Sequence, residues 1–150
     1  MTNKNRLLIA VALVLGVIYV CFFTEWFRPQ TIHIAHTSRN LRSRSQPETP
    51  PPLIFALNLP FKLTEIKVVP LAEWQANPHT LPSWHLVRDS DPEPVKIFTY
   101  GQPIRGMKPA VPGAQPQPLQ PNVVYRLFVT AGKARGWHDF KIVGSVPETK

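Results

Sequence analysis

Cysteine is almost absent from this chain of 150 residues. Cys21 is the only one, so no disulfide can form within the chain and no cluster of thiolate metal ligands can be built. Two motifs of common catalytic sites are absent as well, because the sequence contains neither Gly-x-Ser-x-Gly nor a glycine-rich phosphate loop. These absences favour a protein that is not an enzyme and whose domain is stabilised by its core alone.

Acidic residues are also few, nine against seventeen lysines and arginines, which gives a formal net charge of +8. The excess is divided between the two parts of the chain. Residues 1–52 carry six basic and two acidic residues, and residues 53–150 carry eleven and seven. Because the basic residues are scattered, we do not expect nucleic acid as a partner. Those that flank the apolar run described below suit anionic lipid headgroups.

Histidines and one acidic turn are the remaining candidates for metal chemistry. His33 and His36 are three residues apart, which places them on opposite faces of a strand. The other three histidines are distant in sequence. In the turn from Asp89 to Glu93, Pro92 stands where the chain would have to wrap around a calcium ion. Neither pattern predicts a metal site, and we expect no cofactor.

One long apolar run, from Leu7 to Phe23, is the most informative feature that the sequence does contain. Extended to residue 27 it has 21 residues, and at about 1.5 Å per residue it matches a bilayer core of roughly 30 Å. Trp26 followed by Arg28 is typical of an interfacial aromatic belt and a charged stop. The run predicts a transmembrane signal-anchor helix over residues 7–27, after a cytoplasmic tail of residues 1–6.

A cleaved secretory signal is the main alternative to an anchor, because Lys4 and Arg6 give the positive start that both share. The end of the run favours the anchor, since no pair of small residues is spaced for a signal peptidase. Lipid attachment at Cys21 would need small residues where Tyr19 and Val20 stand. Lys4 and Arg6 lie on the short side of the run, whereas Arg28 on the long side is partly offset by Glu25. We therefore expect the N-terminus inside and the C-terminal domain outside the cytoplasmic membrane.

The rest of the chain is rich in proline, and this argues against long helices after residue 28. Residues 28–52 are basic and proline-rich and predict a juxtamembrane linker, with room for a short strand over 31–36. An anionic-lipid clamp formed by Arg39, Arg42 and Arg44 is the alternative use of this segment. From residue 53 on, short apolar runs alternate with turn residues and predict an all-β sandwich over 53–146. The predicted strands are 53–58, 62–69, 83–89, 95–100, 123–131 and 137–143, the last two as a hairpin, with no regular structure in 101–120.

The stretch from Leu119 through Pro121 to Tyr125, followed by alternating apolar residues, resembles the entry to the sixth strand of a fibronectin type III module. The resemblance implies an immunoglobulin-like sandwich in which Leu119 is a core residue and Tyr125 forms a tyrosine corner. The family's tryptophan is expected on the second strand, whereas Trp84 falls on the third predicted strand, which leaves room for another immunoglobulin-like variant. Such a resemblance implies a fold rather than a function.

The segment from Tyr100 to Gly113 is the candidate partner-binding loop, because its residue types are common in interface cores and prolines stiffen its backbone. The alternative is a long crossover whose Ile104 and Met107 only plug the end of the sandwich. The exposed edge of the predicted strand 53–58 is a second candidate contact. The residues expected to touch a partner are Tyr100, Arg105, Met107 and Lys108.

The sequence therefore predicts a single-pass protein of a bacterial inner membrane, with a non-catalytic β-sandwich. Its expected partners are membrane lipids and another envelope protein or polymer. A ligand or metal carrier, using histidine and methionine at one end of the sandwich, is the first alternative. A hydrolase is the second, and it would need an acidic side chain against His85 or His138 in a cleft.

Overall fold

The computed structural model describes residues 3–23, 30–38 and 52–142. Several sequence predictions lie outside these residues, namely the interfacial role of Trp26, the lipid clamp at residues 39, 42 and 44, and most of the predicted linker.

Helix α1 extends over Asn3–Phe23 and is apolar on all sides from Leu7 onward. It is long and apolar enough to cross a membrane, and none of its apolar window is buried against the rest of the chain. Leu7, for example, is 67% exposed. The helix begins four residues before the predicted span, so most of the predicted tail belongs to its first turn. Phe23 is the last helical residue described.

The rest of the described chain is mostly β, as the sequence predicts. Two antiparallel sheets contain all eight strands: a three-stranded sheet in the order β1-β2-β5 and a five-stranded sheet in the order β6-β4-β3-β7-β8. The elements are β1 (Ile34–Ser38), β2 (Leu53–Phe61), β3 (Glu65–Pro70), α2 (Leu71–Ala76), β4 (Trp84–Arg88), β5 (Val95–Thr99), β6 (Met107–Pro109), β7 (Val124–Ala131) and β8 (Ala134–Lys141).

One hydrophobic core joins the two sheets, and it follows from the two-residue period of the strands. Ile66 and Val68 alternate with half-buried polar residues on β3 and have no exposed surface. Phe55 of the three-stranded sheet meets Phe140 of the five-stranded sheet edge to face, with ring centroids 5.1 Å apart. The two sheets therefore face each other across buried aromatic and aliphatic side chains in a sandwich-like body.

The predicted exposed edge at residues 53–58 is wrong. Strand β2 lies in the middle of its sheet, paired with β1 on one side and β5 on the other. The strand also continues through Pro60 to Phe61, beyond the predicted end at residue 58. The register shifts between Ala56 and Phe61, and such an irregularity accommodates a proline that cannot donate to the ladder.

The segment before residue 53 needs a second correction, because residues 30–38 belong to the folded body. Strand β1 is shifted toward the C-terminus relative to the predicted 31–36 and pairs with β2. Ile32 is buried, and its N–H donates to the carbonyl of Arg135 at 3.0 Å. The segment contacts both sheets, although it has too few apolar residues to be distinguished from a linker by its pattern.

Two short elements were not predicted from the sequence. Helix α2 follows Pro70 and connects β3 to β4. Strand β6 lies inside the segment 101–120, where no regular structure was expected, and it pairs with β4. The hairpin between β7 and β8 is confirmed, but its turn is tighter than predicted, since only Gly132 and Lys133 separate the strands.

Candidate interaction site

The predicted binding loop begins with a residue committed to the body. The hydroxyl of Tyr100 donates to the carbonyl of Gln117 at 2.7 Å, and its ring meets Trp84 edge to face. Burial, and to a lesser degree the nearby Tyr125, raises the pKa of Tyr100 well above its usual range. Tyr100 is therefore a neutral, half-buried packing residue that offers little surface to a partner.

The other three candidate contact residues of this loop also interact with the rest of the body. Met107 lies in β6 and packs against the core beside the buried Ile104. Arg105 pairs with Glu93 at 3.0 Å, and Lys108 pairs with Asp89 at 2.7 Å, both at exposed positions. Partner binding by this loop stays a prediction, and the structure places its cations in ion pairs.

The acidic turn lies directly against this loop. Asp91 pairs with Lys62 at 3.0 Å, so all three carboxylates of the turn have a cationic partner. Gly106 has φ of +82°, and a Cβ there would stand 2.7 Å from the Cα of Pro92. Only glycine allows the two segments to approach this closely.

The residues behind the fibronectin resemblance are brought together at the start of β7. Tyr125 is buried, and its hydroxyl accepts a hydrogen bond from the N–H of Gln120 at 2.9 Å. Leu119 packs against the core, whereas Pro121 is exposed in the turn before the strand. Trp84 is 5% exposed on β4.

A cluster that sequence reasoning missed lies on the outer side of the five-stranded sheet, and we call it the Trp–Arg face. It forms because alternate residues of β7 and β8 point away from the core, with Arg126 opposite Asp139 and Phe128 opposite Trp137. Helix α2 brings its tryptophan over Phe128, with ring centroids 5.4 Å apart. The Trp–Arg face consists of Trp74, Arg126, Phe128, Trp137 and Asp139.

Arg126 is the centre of this face. Its Nε and Nη2 donate to the two carboxylate oxygens of Asp139 at 2.6 and 2.8 Å. The guanidinium carbon lies 4.3 Å from the ring centroid of Trp137 and 5.4 Å from that of Trp74. The hydrogen bonds raise the pKa of Arg126 and lower the pKa of Asp139. The result is a bidentate ion pair with cation–π contacts to two indoles.

A groove of about 880 Å³ runs beside the Trp–Arg face. Trp137, 59% exposed, forms part of its wall together with Trp74 and Phe128. Lys67, Arg135 and Glu65 also line the groove, and neither cation forms an ion pair among the described residues. An aromatic wall with cations available for pairing is suited to hold another molecule.

Glu65 and His85 form the kind of acid–histidine contact that the hydrolase alternative requires, with Oε1 and Nε2 2.8 Å apart. The two side chains are neighbours on β3 and β4, and both are partly exposed to solvent. Among the described residues no hydroxyl or thiol is hydrogen-bonded to His85. The contact is thus a cross-strand hydrogen bond and, among the described residues, lacks the nucleophile that a hydrolytic triad adds.

A contact between His36 and His138 is a further feature that the sequence did not reveal. Nδ1 of His36 lies 2.6 Å from Nε2 of His138, although the residues are 102 positions apart and belong to different sheets. Burial, followed by the neighbouring His36, lowers the pKa of His138. No group of three or more histidine, cysteine, aspartate or glutamate side chains suited to a metal occurs within residues 3–23, 30–38 and 52–142.

Comparison of this chain with protein-family models, with curated proteins and with solved structures found no match.

Proposed function

We propose that this protein is a single-pass protein of the cytoplasmic membrane, with its N-terminus inside, and that its β body is a non-catalytic docking module outside. The exposed apolar surface of α1 supports the anchor. In water, a helix apolar on all sides would expose far more contiguous apolar surface than soluble proteins carry, whereas lipid would cover it. Membrane lipids are then the first partner, and another envelope component is the second.

An immunoglobulin-like identity for the body is part of this proposal. Immunoglobulin sandwiches place strands C, F and G side by side, with the tyrosine corner at strand F. The order β3-β7-β8 follows the same arrangement, and Tyr125 stands at the start of β7. β4 and β6 extend this sheet beyond β3, at the positions of C′ and C″. β6 departs from the family order, because it follows β5 in the chain. An experimental structure in which β7 does not lie between β3 and β8 would contradict the immunoglobulin-like assignment.

The Trp–Arg face is the surface that we propose for docking, because Trp137 on it is largely exposed to solvent. A tryptophan buries up to about 250 Å² of surface, so the 59% that is exposed amounts to about 150 Å². At about 25 cal/mol per Å², covering that surface would contribute about 3–4 kcal/mol before ordering costs. Tryptophan and arginine are also the residues most enriched among binding hot spots.

The partner that fits this surface is an extended, acidic segment of another envelope protein. Lys67 and Arg135 flank the aromatic wall, and the acidic residue of the same groove, Glu65, is hydrogen-bonded to His85 rather than to either of them. Two cations against one carboxylate leave the groove with a net positive charge. A segment carrying carboxylates beside an apolar or aromatic residue would pair with both features at once. A neutral envelope polymer would use the indole surface alone and would be insensitive to the two cations.

The membrane anchor is tested by extracting vesicles with carbonate and by fusing to Lys150 a reporter that is active on only one side of the membrane. We expect the full-length chain to stay with the vesicles and the reporter to be active outside the cytoplasm. Release of the intact chain by carbonate, or cytoplasmic activity of the fusion, would contradict the anchor or its orientation respectively.

The docking surface is tested by placing a photocrosslinking amino acid at position 137 of the full-length protein in intact membranes. Ile97 is the matched control, because it is similarly exposed at 62% but lies on the other sheet. We expect a discrete adduct with an identified envelope protein at position 137 and none at 97. K67E and R135E should each reduce the adduct. Equal capture at both positions, or capture of a polymer unaffected by these charge reversals, would refute the proposed partner.

A further inference from the structure

The histidine pair is held where the two sheets come together at one side of the sandwich. His36 lies in β1 at the edge of the three-stranded sheet, and His138 lies in β8 at the edge of the five-stranded sheet. Their ring centroids are 4.9 Å apart, and the ring planes are inclined by 51°. Two nitrogens therefore converge on one point from two separately positioned strands.

This convergence is the arrangement that a divalent transition-metal ion uses. Neutral imidazole nitrogens bind such ions at about 2.0–2.1 Å, and a tetrahedral angle between two ligands then places the nitrogens about 3.3 Å apart. The present separation of 2.6 Å would need to increase by about 0.7 Å, a distance that rotation of the exposed His36 side chain can supply. For both nitrogens to bind the ion, each neutral imidazole carries its ring proton on the other nitrogen, Nε2 of His36 and Nδ1 of His138.

We propose that His36 and His138 form a two-histidine site for a divalent transition cation such as Cu²⁺, Ni²⁺ or Zn²⁺, which links β1 to β8. Imidazole suits these ions, and their affinity order places Cu²⁺ first. Because His36 is exposed, water completes the coordination, and the ion binds exchangeably. His138 stands between Trp137 and Asp139 in the chain and also lines the groove. The metal proposal nevertheless rests on the two imidazoles alone and not on the proposed docking function or on the membrane anchor.

The test uses the full-length protein in detergent, purified without a histidine tag and titrated with Cu²⁺ by calorimetry. Losing even an outer-sphere partner of a metal ligand costs 10–100-fold in affinity, so H36Q and H138Q should each weaken binding at least about tenfold. The double variant, which keeps neither imidazole, should bind no more tightly than the weaker of the two single variants. H33Q is the matched control, because His33 is exposed three residues before His36 on the same segment.

A spectroscopic readout separates ligation from a merely structural role of the histidines. Electron paramagnetic resonance of the Cu²⁺ complex should show coupling to two nitrogens in the wild-type protein and to fewer in H36Q. Zn²⁺ should also raise the unfolding temperature of the wild-type protein but not of H36Q. Binding by H36Q as tight as that of the wild type, or an equal loss in H33Q, would overturn the proposal. Because His36 is exposed, H36Q decides the question even if H138Q does not fold.

Discussion

The ion pair at the centre of the Trp–Arg face should be strongly coupled, and a double-mutant cycle measures the coupling. R126M keeps the aliphatic stem but removes the guanidinium, and D139N removes the charge of its partner. The side chains are only 16% and 32% exposed, and the pair is bidentate. The expected coupling therefore lies between the 0.2–1 kcal/mol of exposed pairs and the 3–5 kcal/mol lost when a buried pair is broken.

From these limits we expect D139N to lower the free energy of unfolding by about 2 kcal/mol. R126M should cost slightly more, since it also loses the cation–π contact with Trp137, worth about 0.5–1 kcal/mol. The double variant should be less destabilised than the sum of the two, with a coupling of about 1–2 kcal/mol. In a body of about 100 residues each kcal/mol corresponds to about 4–8 °C in unfolding temperature.

The pair also determines how stability changes with pH. Because the hydrogen bonds from Arg126 lower the pKa of Asp139, its contribution is complete above the unfolded value of about 3.9. It is lost as the pH falls through the lower folded value. The difference in stability between the wild-type protein and D139N should therefore shrink progressively below about pH 4.

Urea unfolding of the full-length protein in mild detergent, followed by tryptophan fluorescence, measures these quantities. The chain offers a matched control in Lys62 and Asp91, an ion pair at 3.0 Å whose side chains are 57% and 80% exposed. The K62M and D91N cycle should give a coupling below about 1 kcal/mol. If the coupling between residues 126 and 139 does not exceed that of the control, the indoles do not shield the pair and the reasoning is refuted.

Three further outcomes follow from local geometry. Y125F removes the hydroxyl that accepts the N–H of Gln120 and should lower the free energy of unfolding by about 1–2 kcal/mol, measured by urea unfolding; no change would show that water replaces the bond. Above about pH 10 unfolded tyrosine ionises while Tyr100 stays protonated, so stability should fall by up to about 1.4 kcal/mol per pH unit; thermal unfolding of Y100F should show a shallower decline, and identical slopes would contradict this. G106A should cost clearly more than G113A, because both sites have positive φ but only the first lies against Pro92; equal losses in thermal unfolding would show that the loop yields.

The strands that the sequence revealed are those with a clear two-residue period. Ile66 and Val68 on β3, Trp84 on β4, and Leu127 and Val129 on β7 all face the core as their spacing implies. The short elements were missed for a physical reason. Strand β6 has only three residues, and α2 has six after a proline, so neither contains enough of a period to be recognised. β1 is exposed apart from the half-buried Ile34, and only Ile32 just before it is buried, so its sequence carries little of a strand pattern.

The candidate sites are formed by residues that are far apart in the sequence. Such contacts can be predicted from one sequence only where the pairing register of two strands can be inferred. The predicted hairpin could have placed Arg126 opposite Asp139, since a turn at Gly132 fixes that register. Trp74 could not have been added, because the helix that carries it was not predicted. The approach of His36 to His138 depends on how the two sheets meet, and no local pattern encodes that.

The segment 30–38 determines how a mechanical load on the N-terminal side would enter the body. A pull from that side first meets the hydrogen bonds that Gln30 and Ile32 make with Arg135 of β8, and then the ladder between β1 and β2. The first contacts belong to one sheet and the ladder to the other, so tension is divided between both layers of the sandwich. A pull along β1 would load the bonds of this ladder together in shear, whereas a pull across the strand would open them one after another.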